Sequence, residues 1–153
     1  MEIEKKFLVA TLPNDLSTYP KAEITQAYIS TDPVVRLRKS NDNYFLTIKT
    51  SGHLKREEIN LPLTPEQFQG LWSKVEPIVI SKTRYFLPLE NDLTAELDIY
   101  HEELDGLFTV EVEFDSVKDA EKFIPPAWFG KDVTHENRYK NNNLSLYGKP
   151  SEI

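Results

Sequence analysis

Charged side chains recur at every second position in stretch after stretch of this sequence, and they sort by sign. Glu2, Glu4 and Lys6 alternate with Ile3, and Arg36 and Arg38 with Val35 and Leu37. Lys49 follows Leu46-Thr47-Ile48, Arg56 and Glu58 flank Glu57, and Lys82 and Arg84 flank Thr83. Glu96 and Asp98 alternate with Leu97 and Ile99, and Glu111 and Glu113 with Val110, Val112 and Phe114. In an extended strand, residues i and i+2 point the same way, so each pair forms a row on one face of a sheet. A single such row is the ordinary solvated face of an antiparallel sheet. The set is harder to read that way, because four of the chain's five arginines lie in these rows, the fifth being Arg138 in Asn137-Arg138-Tyr139-Lys140. Lysine carries the general solubilising charge elsewhere, at Lys21, Lys74, Lys118 and Lys122.

Arginine placed this way suits planar, bidentate recognition of phosphate or carboxylate. The acidic rows offer paired carboxylates with no cysteine beside them, and the three histidines, His53, His101 and His135, are scattered. Oxygen-only ligation points to Mg2+ or Mn2+ rather than zinc. Closing the sheet would bring a basic set (Lys6, Arg36, Arg38, Lys49, Arg56, Lys82, Arg84) near an acidic set (Glu2, Glu4, Glu58, Glu96, Asp98, Glu111, Glu113). Like charges ~4 Å apart at an effective dielectric of ~20 repel by about 4 kcal/mol, so such rows need opposite charges or ligands to offset them. A polyanion on the basic side and a cation on the acidic side would do so, as in phosphoryl transfer. Residue chemistry thus leads to a metal-dependent polyphosphate or nucleotide site within a β-barrel.

The elements that must position these rows follow from the same alternation. Strands are expected over Glu2–Val9, Ile24–Ser30, Val34–Lys39, Tyr44–Thr50, Lys55–Leu61, Ile78–Leu87, Leu93–Tyr100 and Leu107–Phe114. Turns separate them at Asp32-Pro33, Asn41-Asp42-Asn43, Ser51-Gly52, Glu90-Asn91-Asp92 and Asp105-Gly106. Thr64-Pro65-Glu66-Gln67 reads as the capped start of a helix carrying Phe68, Leu71, Trp72 and Val75. Ser116 caps a second helix over Val117–Phe123, and a short one is expected around Tyr139–Leu146. The fold class is mainly β (α+β): an antiparallel meander or barrel with a few flanking helices.

The 153 residues, 39% hydrophobic and 28% charged, fit one domain over residues 1–153. Without cysteine, a disulfide scaffold, a zinc knuckle and a thiol nucleophile are excluded. A net charge of −7 argues against nucleic acid as a partner. No apolar stretch approaches a membrane span and no signal-peptide pattern opens the chain, so no membrane partner and a cytoplasmic location are expected.

Taken in order, the rows resemble the CYTH superfamily, the triphosphate tunnel metalloenzymes. Glu2-Ile3-Glu4-Lys5-Lys6 matches the E-x-E-x-K signature at the extreme N-terminus. It is followed by Arg36-Leu37-Arg38, Thr47-Ile48-Lys49, Arg56-Glu57-Glu58, Lys82-Thr83-Arg84, Glu96-Leu97-Asp98 and Val110-Glu111-Val112-Glu113. The tail, Phe123-Ile124-Pro125-Pro126 through Trp128-Phe129-Gly130 to Arg138-Tyr139-Lys140-Asn141, resembles the short bacterial members. The resemblance implies an eight-stranded antiparallel barrel forming a tunnel, with basic residues gripping a triphosphate and acidic residues holding one or two metals. On that reading Lys6, Arg36, Arg38, Lys49, Arg56, Lys82, Arg84 and Arg138 bind substrate. Glu2, Glu4, Asp98, Glu111 and Glu113 hold Mg2+ or Mn2+, with Glu58 and Glu96 as weaker ligands. Glu2, Glu4, Lys6, Arg38 and Glu111 carry the catalysis. The family often has R-x-E-x-E in the fifth strand, where Asn60 replaces the second glutamate here. If the stretch around Arg138 is helical, only one of Arg138 and Lys140 faces the tunnel.

The implied activity is hydrolysis of inorganic triphosphate or a similar small triphosphate. The alternatives are a class IV-type adenylate cyclase, a thiamine or nucleoside triphosphatase, and a non-catalytic polyphosphate-binding module. Phe68 and Trp72 are read as core, Trp128-Phe129 as a packing plug closing the barrel, and Asn141-Asn142-Asn143 as a helix end or loop. His53 is read as a loop residue and His101 as a strand end. Tyr28 falls where the family often places an aromatic near the tunnel.

Overall fold

The computed structural model describes residues 2–50, 54–75 and 78–150, so the Ser51-Gly52 turn and His53 lie outside the described residues. Its strands are β1 (Glu2–Val9), β2 (Lys21–Thr31), β3 (Val34–Ser40), β4 (Asn43–Lys49), β5 (Lys55–Arg56), β6 (Glu58–Leu63), β7 (Ile80–Pro88), β8 (Thr94–Tyr100), β9 (Phe108–Glu113) and β10 (Phe129–Asp132). The helices are α1 (Pro65–Trp72), α2 (Val117–Lys122) and α3 (Asn141–Tyr147). The sheet runs β10-β1-β9-β8-β7-β2-β3-β4-β6, with β5 paired to β1.

That last pairing closes the barrel. The segment expected as one strand over Lys55–Leu61 changes partner at Glu57. Before it, Arg56 sits opposite Glu2 of β1; after it, Glu58 sits opposite Lys49 of β4. Counting β5 and β6 as one segment, eight antiparallel strands ring the tunnel, as expected. β10 is an addition, pairing the far half of β1 through Phe7↔Asp132 and Val9↔Phe129. Four residues without alternation gave it no signal. β2 starts three residues early because Lys21 and Glu23 extend its exposed edge while Ala22 and Ile24 stay buried.

The barrel is polar inside, and its main apolar core lies outside it. Val110, Val112, Leu97 and Ala95 point away from the tunnel, are fully buried, and pack with Ile3, Phe7, Leu87, Phe114, Phe129 and Ala120 of α2. Burying each large aliphatic side chain there contributes roughly 1.5–3 kcal/mol. Phe129 packs on Phe7 with ring centroids 5.0 Å apart. Trp128-Phe129 therefore seals this outer layer beside β1 and does not plug the barrel. On the opposite side α1 begins with a full capping box, Gln67 N–H donating to Thr64 Oγ1 at 3.1 Å and Thr64 N–H to Gln67 Oε1 at 2.9 Å. Its Phe68 is core, stacked between Tyr44 and Trp72.

A second core closes one end of the barrel. The inward positions there are apolar: Leu8, Tyr28, Val34, Ile80 and Tyr100. Val133, Tyr139 and Leu144 of the tail pack onto them. Ser145 Oγ donates to Ile78 O at 2.7 Å and Asn142 Nδ2 to Thr31 O at 3.3 Å, tying α3 to the start of β7 and the end of β2. No helix among the described residues is long and apolar enough to cross a membrane.

Candidate active site

The rows converge on a cavity of about 390 Å³, within the range of small-molecule sites. Among the described residues, seven carboxylates and seven Lys or Arg side chains line it. The net −7 of the chain is therefore not the charge of the site. What distinguishes the site is polarity across it.

One wall, built by β1, β9 and β8, is acidic. Register puts Glu4 opposite Glu113, Lys6 opposite Glu111, and Glu111 opposite Glu96. Like charges directly opposite across a ladder destabilise one another, and the titration of these groups shows how the wall copes. Burial, then the neighbouring Glu111 and Glu2, hold the Glu4 carboxyl well above the usual range. Burial would raise Glu111 too, but Lys6, Arg84 and Lys82 outweigh it and hold Glu111 well below that range. Burial and a hydrogen bond with Glu58 push Glu2 up to about 7. Burial opposes ionisation of Glu58 as well, yet the Glu2 hydrogen bond and Lys49 bring it down to about 2. In both carboxyl pairs, Glu4–Glu111 and Glu2–Glu58, one member is thus raised and the other lowered.

The facing wall, from β7 through β3 and β4, is basic. Lys49 Nζ lies 3.0 Å from Glu2 and 3.7 Å from Glu58, where the walls meet. Arg56 reaches Glu2 at 3.3 Å and Glu4 at 3.5 Å. Arg84 spans Glu96 at 2.7 Å, Asp98 at 2.8 Å and Glu111 at 3.6 Å. Lys6 Nζ donates to the Tyr139 carbonyl at 2.6 Å, which fixes the tail against the tunnel. Arg36 and Arg38 differ from Lys49, Arg56 and Arg84. Among the described residues neither has a carboxylate within 4.0 Å. Arg36 donates to Thr47 Oγ1 at 3.2 Å and Arg38 Nε to Gln26 Oε1 at 2.7 Å. Burial, followed by repulsion from Arg36 and Arg84, presses Arg38 down to about 9.

Three expected residues stand elsewhere. Lys82 and Asp98 are fully buried behind the cavity lining and paired at 2.8 Å. Both Asp98 oxygens are taken, by Arg84 Nε at 2.8 Å and Arg84 Nη2 at 2.9 Å, with Lys82 on the second. Arg138 faces outward in a 3-10 turn, paired with Glu136 at 3.0 Å. Lys140 lines the cavity in its place, as divergence of i and i+2 in a helical stretch requires. The tail also contributes Thr134, Glu136, Asn141 and Asn142, which had no periodicity to reveal them. Tyr28 and Asn60 line the cavity; Asn60 donates to Glu58 at 2.8 Å and accepts from Thr47. His101 sits on the outer face, hydrogen-bonded to Thr83.

The donor chemistry of the acidic wall suits a hard divalent cation: carboxylate oxygens only, in close pairs whose mutual repulsion a cation would relieve. Among the described residues no three of these side chains already form a closed cage. Several are held instead by Arg56, Lys49 and Arg84.

The family model of the CYTH domain matches residues 1–138. The chain is 43% identical to an inorganic triphosphatase of Nitrosomonas europaea over 149 residues, 95% of this chain and 97% of that one. It is 35% identical to an inorganic triphosphatase of Acetivibrio thermocellus over 148 residues, 94% of this chain and 92% of that one. A crystal structure of an inorganic triphosphatase superposes with a TM-score of 0.72 at 38% identity, covering 98% of this chain and 97% of that one.

Proposed function

The chain belongs to the CYTH domain family, and from that premise we propose that it is an inorganic triphosphatase, a hydrolase that cleaves a terminal phosphoanhydride of triphosphate within its charged tunnel. The observation that carries this reading is the pair Arg36 and Arg38: a buried and a half-buried cation with no carboxylate within 4.0 Å among the described residues, facing a wall of closely spaced carboxyl groups. Such a slot suits an anion on one side and a cation on the other.

Arg36, Arg38, Lys49, Arg56, Arg84 and Lys6 bind the phosphate oxygens and stabilise charge that develops on them. Lys82 and Asp98 act from behind, keeping the Arg84 guanidinium in place. Glu2, Glu4, Glu96, Glu111 and Glu113 would hold Mg2+ or Mn2+, with Glu58 at their edge, and the metal when bound would neutralise phosphate charge and acidify water. Glu111, held ionised by its basic neighbours, orients the attacking water as hydrogen-bond acceptor. Attack forms a new P–O bond and breaks the anhydride P–O bond, releasing phosphate and pyrophosphate. The lining also supports an inorganic substrate over a nucleotide. Its apolar members are Tyr28, Val34 and Val133, and all three belong with the core that closes the barrel end, so the described lining offers a purine base no apolar slot.

Incubation with triphosphate, ATP and thiamine triphosphate, each with Mg2+ or Mn2+, tests the proposal. Phosphate release from triphosphate is expected. Cyclic AMP from ATP, or no product from any substrate, would refute it.

A further inference from the structure

Two arginines of the tunnel are braced from behind, and the braces differ in charge. Arg84 is backed by Asp98, a fully buried carboxylate that accepts from its Nε and Nη2. Arg38 is backed by Gln26, equally buried, whose Oε1 accepts from Arg38 Nε at 2.7 Å. Because Nε–H can only donate, the carbonyl end of the amide faces the arginine. Gln26 sits at the inward position of β2 directly opposite Arg38 on β3 and Ile80 on β7.

We propose that Gln26 is a positioning residue for the reaction: it fixes the Arg38 guanidinium through Nε, leaving the two Nη groups for phosphate, and does so without neutralising the charge. A carboxylate at this position would orient the guanidinium equally well but would supply the counterion that Arg38 otherwise takes from substrate. That is the arrangement at Arg84, whose charge is already divided among Asp98, Glu96 and Glu111. The two arginines therefore divide the work. Arg84 organises the acidic wall, and Arg38 keeps its charge for the anion. The other end of the Gln26 amide supports the assignment, since Nε2 finds no partner among the described residues despite complete burial. A half-satisfied buried amide is a poor choice for stability alone, where an apolar residue of similar shape would serve better. The depressed titration of Arg38 agrees with this: burial, then Arg36 and Arg84, outweigh the opposing pull of Asp98.

This inference rests on the triphosphatase reading, and the test separates the two. Inorganic triphosphate is titrated calorimetrically into the parent, Gln26→Glu and Gln26→Met in excess chelator, and the melting temperature of each ligand-free protein is recorded. Gln26→Glu is expected to bind triphosphate at least tenfold more weakly, about 1.4 kcal/mol, while melting at or above the parent temperature because the buried arginine gains a counterion. A purely structural glutamine could not move the two readouts in opposite directions. Gln26→Met, which keeps the shape without the acceptor, is expected to weaken binding severalfold, and this holds as the criterion if Gln26→Glu fails to fold. Binding by the folded variants within twofold of the parent would overturn the role of Gln26 and leave the functional reading intact. A parent that neither binds nor hydrolyses triphosphate would overturn both.

Discussion

Arg38→Met separates a group kept for a ligand from one kept for the fold. Arg38 lies two residues from Arg36 on the same face of β3, about 7 Å away by the strand rise. At an effective dielectric of about 20, removing that repulsion returns roughly 2 kcal/mol. Against this, Gln26 Oε1 loses its donor, at a cost of about 1–3 kcal/mol. Methionine retains much of the stem volume. The empty variant is therefore expected within about 2 kcal/mol of the parent, a melting shift of no more than about 4–8 °C for a chain of this size. Turnover should fall at least about a hundredfold, as when a preorganised donor to developing charge is removed. Triphosphate at a hundredfold excess over its dissociation constant should stabilise the parent by about 2.7 kcal/mol, and a variant binding tenfold more weakly by only about 1.4 kcal/mol. Thermal melts in chelator, with and without triphosphate, measure all of this except turnover. A loss of more than about 4 kcal/mol in the empty variant would mark Arg38 as a structural ion-pair partner rather than a cation kept for substrate.

Lys49→Ala should reduce kcat/KM by about a hundredfold or more, whereas Lys21→Ala and Lys118→Ala, at exposed positions outside the tunnel, should leave it nearly unchanged; equal small losses would mean that the rows are solvated surface. Turnover should stop in excess chelator and return on adding Mg2+ or Mn2+, and undiminished activity without metal would end the metal assignment. Burial, then Arg84 and Arg38, lower Lys82 to about 7 from the usual lysine value of 10.5, so between these pH values the unfolded chain binds more protons at this group. Its contribution to stability should accordingly rise from about pH 7 towards pH 10, and denaturant titrations of parent and Lys82→Met should differ in slope over that window. Parallel profiles would refute the shift.

Strand parity made most of the site legible before any coordinates, because a period of two is a property of the extended backbone alone. Glu2, Glu4 and Lys6, Arg36 and Arg38, Glu111 and Glu113 all face the tunnel their spacing implied. The absence of cysteine and the placing of four of the five arginines in the rows likewise pointed to a kind of chemistry without reference to packing. Parity says which face a residue occupies but not what lies in front of it. Lys82 and Asp98 share a face with Arg84 and Glu96, yet they sit deeper, behind the lining, where pairing with Arg84 satisfies them. Closure at Glu57 was equally out of reach, since changing partner from β1 to β4 depends on the barrel's stagger rather than on any local signal. The irregular tail has no period to read, so only the docking of Tyr139 and Leu144 decided that Lys140 faces inward while Arg138 does not. Residue types and spacing determined the charges and their faces. Their pairing, which among the described residues leaves Arg36 and Arg38 with no carboxylate at hand, was decided in three dimensions, because a counterion is a neighbour in space and not in sequence.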